Sequence, residues 1–201
     1  MDELFNLADK ALYRGKTKGR NCYIIYLKEK HAGINLKSDR DKTYSSMYLH
    51  SKIFKELTKD NNLDSNINSL LDFLGNYLMI DHLGIENDDK ILFDYIHPLC
   101  KYKTKPISNK LIETMMPSYT EFISENVVLN SNHLNEPLYK ELINQHIYSI
   151  VIIRIAIYGK TYGYLRAEIL GLDTGRIWQH FDLDLLISFC HILVLILSNK
   201  K

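Results

Sequence analysis

Apolar side chains recur every three or four positions in several stretches of the chain, and this spacing gathers them on one side of a helix. It predicts helices over residues 3–14 and 48–58, shorter ones near 108–115 and 136–145, and a further one with apolar residues between positions 67 and 78. Each of these helices needs a core to pack against, because one-sided apolar surface is costly to leave in water.

The two helices in the middle of the chain have identifiable faces and ends. The predicted core faces are Leu49, Ile53, Phe54 and Leu57 in the first, and Ile67, Leu70, Leu71, Leu74, Tyr77 and Leu78 in the second. Asn61 and Asn62 end the first helix, and Asp64 or Ser65 caps the next. A short side-chain oxygen at such a cap accepts a hydrogen bond from an otherwise unpaired amide of the first turn.

Runs of β-branched and aromatic residues predict two antiparallel hairpins. The strands HLGIE and ILFDYIH are joined by NDDK, whose Asn and Asp residues suit a tight turn, and Pro98 ends the pair. The longer run YSIVIIRIAIYGKTYGYLRAEIL has its predicted turn at Gly159-Lys160. A further extended segment, EFISENVVLN, begins at Glu121.

The last predicted helix, residues 183–197, is apolar almost all round, which indicates burial on more than one side. Asp182 or Asp184 is its predicted N-terminal cap. The stretch is shorter than the roughly 20 apolar residues that a bilayer requires, and Asp184 and His191 interrupt it. We therefore expect a buried helix and no membrane contact.

Composition narrows the class of protein. The 201 residues, 46% hydrophobic and 24% charged, fit one folded domain with an appendage. The 25 Lys and Arg nearly balance the 24 Asp and Glu, so no overall field attracts nucleic acid. Six basic residues in 10–28, with no acidic one, are interpreted as a solvated helix end. Cys22, Cys100 and Cys190 fit neither a disulfide framework nor a metal site, and a cytoplasmic location is expected.

The order of the elements predicts an α+β fold: an antiparallel sheet flanked by helices, preceded by an N-terminal helix and strand as an appendage. The appendage comprises residues 1–27 and ends in the strand CYIIYL. The polar stretch that follows, residues 28–47, is the predicted linker to the main domain.

The appendage, DELFNLADKALYRGKTKGRNCYIIY, closely resembles the C-terminal end of GGDEF domains, the catalytic domains of diguanylate cyclases. Those domains close with A-D-x-A-L-Y-x-A-K, then G-R-N and a strand. The matching positions are Ala8, Asp9, Ala11, Leu12, Tyr13, Lys16, Gly19, Arg20 and Asn21, while Gly15 stands where alanine is usual. The sequence lacks the Gly-Gly-Asp/Glu-Glu-Phe turn and the metal-binding acid that phosphoryl transfer requires, so this piece does not make cyclic di-GMP.

The remainder, residues 48–200, resembles a GAF domain, a small-molecule sensor and dimerisation module common in bacterial signalling. The resemblance is clearest in the second hairpin, at Ser149, Ile155, Gly159, Gly163 and Leu165, with Arg154 where a proline usually stands. The Asn-Lys-x-x-x-Phe...Asp-Glu signature of the cyclic-nucleotide-binding members is not found. The resemblance implies a GAF-like sheet and leaves the ligand open.

Strand alternation predicts two faces for the second hairpin. If Arg154 lies opposite Arg166, one face carries Ile153, Ile155, Leu165 and Ala167, and the other carries Arg154, Ala156, Tyr164, Arg166 and Glu168. Guanidinium groups bind carboxylate or phosphate through paired donors, so the second face is a candidate site for an anionic ligand. A solvated or internally paired sheet face is the simpler interpretation. The GAF resemblance adds Tyr95, His97 and Phe122 as pocket candidates, each of which plain packing also explains.

Three other features could suggest a metal site, a chromophore attachment site or a redox-active cysteine, but each has a simpler structural explanation. HFDLD, residues 180–184, places a histidine near two carboxylates, but capping explains it, and no metal site is predicted. Cys190-His191 is similar to the chromophore-bearing pair of phytochrome GAF domains, yet it lies inside the terminal apolar helix, where a buried cysteine is expected. The clustered cysteines of GAF-type methionine sulfoxide reductases are not indicated by three distant ones. No catalytic residue is predicted, and the cofactor is unknown.

The leading hypothesis is a noncatalytic regulatory GAF domain, residues 48–201, of a diguanylate cyclase signalling protein. In this hypothesis the domain binds a small molecule, pairs with a second copy through the helices 48–58 and 183–197, or does both, and thereby controls cyclic di-GMP signalling. An anionic molecule is the candidate ligand. The alternative is a structural dimerisation domain with no ligand, and an enzyme comes third. A polar-lined cavity beneath the second hairpin favours the sensor, and a side-chain-packed core favours the scaffold.

Overall fold

The computed structural model describes residues 46–87, 90–127, 136–171 and 178–199, together with the isolated positions Leu7 and Ala11, which are helical. The predicted GGDEF-like appendage, its strand and basic run, and nearly all of the predicted linker lie outside the described residues.

The described residues form five helices and five strands in an α+β arrangement. The helices are α1 (Ser46–Leu57), α2 (Leu63–Leu78), α3 (Asn109–Met115), α4 (Pro137–Asn144) and α5 (His180–Asn199). The strands are β1 (His82–Asn87), β2 (Lys90–Ile96), β3 (Phe122–Asn126), β4 (Ile147–Ile157) and β5 (Lys160–Leu170). Every predicted helix and strand in these ranges is present.

The five strands form one antiparallel sheet in the order β2-β1-β5-β4-β3. The two predicted hairpins, β1–β2 and β4–β5, lie side by side, because β1 pairs with β5. This pairing brings residues more than 80 positions apart, such as His82 and Glu168, directly opposite each other.

Both faces of the sheet are buried, each beneath its own set of helices. One face, with Leu83, Ile85, Val151, Ile153, Ile155, Leu165, Ala167 and Ile169, packs in one core with α1, α2 and α5. We call it the first face. The other, the second face, packs in a separate core that includes Ile107, Ile112, Tyr139, Ile150, Ile152 and Tyr164. Of the alternative of a solvated or internally paired second face, the solvated form is wrong, because α3, α4 and the chain before α3 cover it. The internally paired form is present, since Arg166 pairs with Glu86 and Glu168.

The helix α1 begins at Ser46, two residues before the predicted start. Leu49, Ile53 and Leu57 are buried, as predicted, but Phe54 is 56% exposed. The three buried residues are spaced by four and form one narrow row along the helix. Phe54 lies about 100° around the axis from Ile53, outside that row.

The helix α2 is capped by Asn62, whose side chain accepts a hydrogen bond from the backbone N–H of Ser65. The prediction of Asp64 or Ser65 as the cap is wrong, because the helix begins at Leu63 and both residues lie in its first turn. Met79 ends the helix in a left-handed conformation, which turns the chain into β1.

The turn between β4 and β5 consists of Tyr158 and Gly159, with φ angles of 50° and 73°. Two positive φ angles in a two-residue loop match the twist of the flanking strands. The predicted turn at Gly159-Lys160 is one residue too late, since Lys160 already pairs with Ile157.

The helix α5 is long and apolar enough to cross a membrane by length and composition alone. In this fold it packs against β4 and α1, and it buries Leu185, Leu186, Phe189, Cys190, Leu193 and Val194. These two contacts confirm burial on more than one side, but only 39% of the most apolar stretch is buried, and Leu195 is exposed. Asp182 accepts a hydrogen bond from the backbone N–H of Gln179 and thus stabilises the first turn from within it.

Candidate functional site

Four of the predicted site residues share the second face. Arg154 lies opposite Tyr164, and Ile152 lies opposite Arg166, so the assumed pairing of Arg154 with Arg166 is wrong by two residues. Because side chains alternate with a period of two, an even shift leaves Arg154, Tyr164, Arg166 and Glu168 on their predicted face. Arg154, Tyr164, Arg166 and Glu168 are therefore brought together.

The other three candidates lie elsewhere. Tyr95 and Phe122 pack in the core of the first face, and the Tyr95 hydroxyl donates to the Asn76 side chain at 3.1 Å. His97 follows β2, where its Nδ1 accepts a hydrogen bond from the backbone N–H of Leu99. Tyr95 pairs with Leu83 and Phe122 pairs with Ile153, and both partners belong to the first face.

A cluster of buried charges lies where β1 and β5 pair. Nε of Arg166 is 3.3 Å from a Glu86 carboxylate oxygen and 3.2 Å from one of Glu168. The other Glu168 oxygen lies 2.7 Å from Nδ1 of His82. All four side chains are at most 2% exposed. We call these four residues the buried charge cluster.

The two carboxylates of the buried charge cluster differ in proton affinity. Burial raises the pKa of Glu86 to about 7, although Arg166 partly opposes the rise. Burial also acts to raise the pKa of Glu168, but Arg166 and His82 outweigh it and hold that pKa below its ordinary value. Glu168 is therefore ionised and can only accept, so Nδ1 of His82 carries the proton in their hydrogen bond.

The chain before α3 covers the buried charge cluster with backbone atoms. Arg166 donates from Nη2 to the carbonyl of Lys105 at 2.9 Å, and the backbone N–H of Ile107 donates to Glu86 at 3.3 Å. Within the described part of the chain, Nη1 of Arg166 and Nε2 of His82 have no hydrogen-bond partner. Buried polar atoms normally have one, so this region holds unused donor or acceptor capacity.

Arg154 lies nearer the edge of the sheet and holds a neighbouring segment. Its Nη1 donates to the carbonyls of Pro117 and Ser118 at 3.2 and 2.7 Å, and its Nη2 donates to that of Met116. Its Nε is buried without a partner among the described residues. The partners of Nη1 and Nη2 are neutral carbonyls, and no carboxylate in the described part of the chain is bonded to this guanidinium.

Tyr164 connects the same region to α3. Its hydroxyl donates to Glu113 at 3.2 Å. Burial raises the pKa of Tyr164, and Arg154 partly opposes that rise. The hydroxyl is therefore protonated at neutral pH, and it is a donor on this face.

Two clefts adjoin Arg154. One has a volume of about 340 Å³ and is lined by Glu113, Met116, Pro117, Ser118, Ala156 and Thr161, among others. The other has a volume of about 240 Å³ and lies between residues 118–121 and the α5 residues Cys190, His191 and Val194. The larger cleft has the size of a small-metabolite site.

Sequence reasoning missed His82 and Glu86, two of the four charges in the cluster. The strand HLGIEN alternates His82, Gly84 and Glu86 with Leu83 and Ile85. This period of two places the polar side chains on one face, and it can be seen in the sequence. The residues that His82 and Glu86 contact on β5 cannot be seen there, because the pairing of β1 with β5 is a long-range contact.

The described residues contain no group of three or more His, Cys, Asp and Glu side chains arranged to hold a metal ion. The Cys190-His191 pair lies in α5, with Cys190 in the core of the first face and His191 beside Glu121. Burial raises the pKa of Cys190 well above its ordinary value, so this thiol is not activated.

No protein-family model matches the chain, and no curated protein matches it significantly. Solved structures do match. The phycocyanobilin-bound GAF domain of a cyanobacterial phytochrome aligns with a TM-score of 0.61 and 13% identity, covering 79% of this chain and 100% of that one.

Two further structures agree with this match. A phycoerythrobilin-bound GAF domain from a cyanobacterial phytochrome aligns with a TM-score of 0.59 and 14% identity over 78% of this chain and 96% of that one. The chromophore-binding domain of a Stigmatella aurantiaca bacteriophytochrome aligns with a TM-score of 0.60 and 10% identity over 80% of this chain and 63% of that one. Identities this low establish the fold alone, and the fold is that of a GAF domain.

Proposed function

We propose that this chain is a noncatalytic regulatory domain of the cytoplasm that senses a small anionic molecule on the second face of its sheet. The observation that carries the proposal is the Arg154 guanidinium, which adjoins a cleft of about 340 Å³ and is bonded to neutral carbonyls. A carboxylate or phosphate is a stronger acceptor than a peptide carbonyl, so an anionic ligand can compete for these donors.

The pocket proposed here differs from the one predicted on the sequence. Arg154, Ser118 and Thr161 line the cleft, and Tyr164 is bonded to Glu113 in its wall. Arg166 and Glu168 lie deeper and are paired with each other. They contribute a fixed charged floor to the second face and are not expected to contact the ligand directly.

Signalling output is proposed to pass through the terminal helices of a homodimer. On α1, Met47, Tyr48 and Phe54 are 84%, 47% and 56% exposed, and on α5 Leu195 is 51% exposed. The two helices pack against each other, so these apolar side chains belong to one helical layer. Burying them against a second copy gains free energy from apolar contact.

The parent protein is proposed to be a diguanylate cyclase, so that the domain regulates cyclic di-GMP signalling. This part rests on the residues of the N-terminal stretch alone, from Ala8 to Asn21. Sequencing the reading frame upstream in the source genome tests it: a GGDEF core directly before Met1 supports the assignment, and its absence contradicts it.

A scaffold without a ligand is the second candidate function. It is favoured by the core of the second face, where Ile112, Tyr139, Ile152 and Tyr164 are fully buried. Side chains of the chain itself thus occupy much of the space beneath α3 and α4. The clefts beside Arg154 are the observation that favours a sensor over a scaffold.

Thermal denaturation in the presence of nucleotides and organic acids separates the two functions. The sensor should show a rise in the midpoint temperature with at least one anion, and Arg154→Ala should abolish the rise. Lys140→Ala, which removes an exposed cation on α4, is the matched control and should keep it. No shift with any compound, or an undiminished shift in Arg154→Ala, favours the scaffold.

A further inference from the structure

The segment from Met116 to Glu121, which leads from α3 to β3, is held to β4 by Arg154. The guanidinium of Arg154 donates to the carbonyls of Met116, Pro117 and Ser118. We call residues 116–121 the bridge segment.

The far end of the bridge segment is tied both to the strand and to the terminal helix. The backbone N–H of Arg154 donates to the carbonyl of Glu121 at 2.9 Å. The Glu121 carboxylate bonds to Nε2 of His191 on α5. These two side chains are 48% and 58% exposed, so their bond is in contact with water and readily exchanged.

Open space flanks the bridge segment on two sides. The cleft of about 340 Å³ borders Pro117 and Ser118, and the cleft of about 240 Å³ separates residues 118–121 from α5. Met116 is buried in the core of the second face, but Pro117, Ser118 and Tyr119 are exposed, so a small displacement of residues 117–121 needs no rearrangement of the packed cores. Packed interiors resist such shifts, so this location differs from the rest of the second face.

We propose that the bridge segment is a ligand-controlled latch that connects Arg154 to α5. This inference rests on the proposed function, since the ligand is the carboxylate- or phosphate-bearing molecule that takes the Arg154 donors. Binding replaces the three backbone carbonyls, because a planar guanidinium presents its paired donors to one anionic group. The Glu121 carbonyl stays bonded to the backbone N–H of Arg154. The shift of residues 117–120 therefore turns the Glu121 side chain away from His191, and α5 loses that contact.

The latch gives the ligand a route to the helix that carries the proposed dimer surface. His191 and Leu195 are one turn apart on α5, and both are exposed. A change in the contacts of His191 therefore alters α5 next to Leu195, an apolar side chain of the proposed dimer surface. The two states differ in a defined set of bonds, which is what ligand control of a conformation requires.

Amide hydrogen exchange on the full chain tests the latch without a ligand, through a double-mutant cycle. Arg154→Ala should raise exchange about tenfold in residues 116–121 and several-fold in residues 187–195, because local opening costs less free energy. In a His191→Ala background, Arg154→Ala should still affect the bridge segment but no longer affect α5. Residues 63–78 of α2 serve as the internal reference for global stability.

Arg154→Lys, which keeps the positive charge but has fewer paired donors, guards against a misfolded alanine variant and should produce a smaller effect in the same direction. The latch is overturned if exchange in 116–121 rises while 187–195 does not change, or if α5 responds equally in both backgrounds.

Citrate and inorganic phosphate provide the second arm of the experiment. If either anion alters exchange in 116–121 and 187–195 of the unmodified chain, the latch responds to the proposed ligand class. If neither does, while the mutant cycle still shows coupling, the mechanical connection stands and the anion-sensing function is contradicted. The failures of the two proposals are thereby distinguished.

Discussion

The Nδ1 atom of His82 lies 2.7 Å from a carboxylate oxygen of Glu168, across the pairing of β1 with β5, with both side chains buried. These residues are 86 positions apart in the chain. Arg166 neutralises Glu168 from the other side, at 3.2 Å. The contact therefore joins the two hairpins through polar atoms in a region that water does not reach.

Replacement of Arg166 should strongly lower the free energy of unfolding. Arg166→Met leaves Glu86 and Glu168 buried without their cation, and an uncompensated buried charge costs about 3–5 kcal/mol. Urea denaturation measures the free energy of unfolding. Lys101→Met, which removes an exposed cation, should change it by less than about 0.5 kcal/mol. Equal stability of the two variants would show that the cluster is solvated.

Glu86 should make the protein less stable as the pH rises. Its pKa is raised from 4.5 to about 7 on folding, so the native state binds the proton more tightly than the unfolded chain does. The resulting stability is complete below about pH 4.5 and is lost as the pH rises through about 7, by about 3 kcal/mol. Glu168 acts in the opposite direction, since its lowered pKa contributes stability above the ordinary pKa of a glutamate, and this stability is lost as the pH falls into the acid range.

Urea denaturation between pH 4.5 and 8 checks this dependence on Glu86. Glu86→Gln should flatten the curve, because the neutral amide has no proton to lose. Asp94→Asn, which alters an exposed carboxylate on β2, should leave it as it is. A curve for Glu86→Gln that matches the unmodified chain would place the titration in another group.

Gly75→Ala should destabilise the protein despite the better helix propensity of alanine. A Cβ atom at position 75 would lie 2.1 Å from Cδ1 of Tyr95, so α2 must move away from β2. Overpacking of this kind costs about 1–3 kcal/mol, more than the gain of about 1 kcal/mol from replacing a helical glycine.

The interaction of Gly75 with Tyr95 can be isolated by thermal denaturation. In a Tyr95→Leu background, where the ring is gone, Gly75→Ala should be less harmful. Ser69→Ala, at an exposed position of α2, is the control for helix propensity and should cost nothing. The same loss in both backgrounds would assign it to a different neighbour.

Homodimer formation should depend on the exposed apolar side chains of α1 and α5. Phe54→Glu and Leu195→Glu should each shift the population toward monomer, because a carboxylate in an apolar contact is costly to desolvate. Sedimentation equilibrium measures the shift. Tyr158→Glu removes a side chain that is 96% exposed on the β4–β5 turn, and it should leave the dimer intact. A monomeric unmodified chain at high concentration would contradict this prediction.

Periodicity identified the helices and strands, because each element's apolar spacing is a local property. It did not predict which side chains are buried where that depends on residues distant in sequence. Phe54 has the spacing of a core residue on α1, but the row of Leu49, Ile53 and Leu57 alone meets the core. Phe122 was a pocket candidate until its pairing with Ile153 assigned it to the first face.

The candidate site divides in the same way. Alternation along β4 and β5 sufficed to place Arg154, Tyr164, Arg166 and Glu168 together, and an error of two residues in the register did not matter. It could not supply the partners of these residues. Arg154 bonds carbonyls of residues 116–118, which no side-chain pattern reveals, since backbone acceptors are present at every position.

By itself, the sequence determined the elements, the α+β class and the common face of the two arginines, since these follow from short-range periods of 3.6 and 2. The GAF fold was implied by a resemblance in the second hairpin. The tertiary structure decided which charges meet. The pairing of β1 with β5 brings His82 and Glu86 to Arg166 and Glu168, and the chain before α3 excludes water from them. Contacts between segments so distant in sequence depend on the whole fold, so no local pattern encodes them.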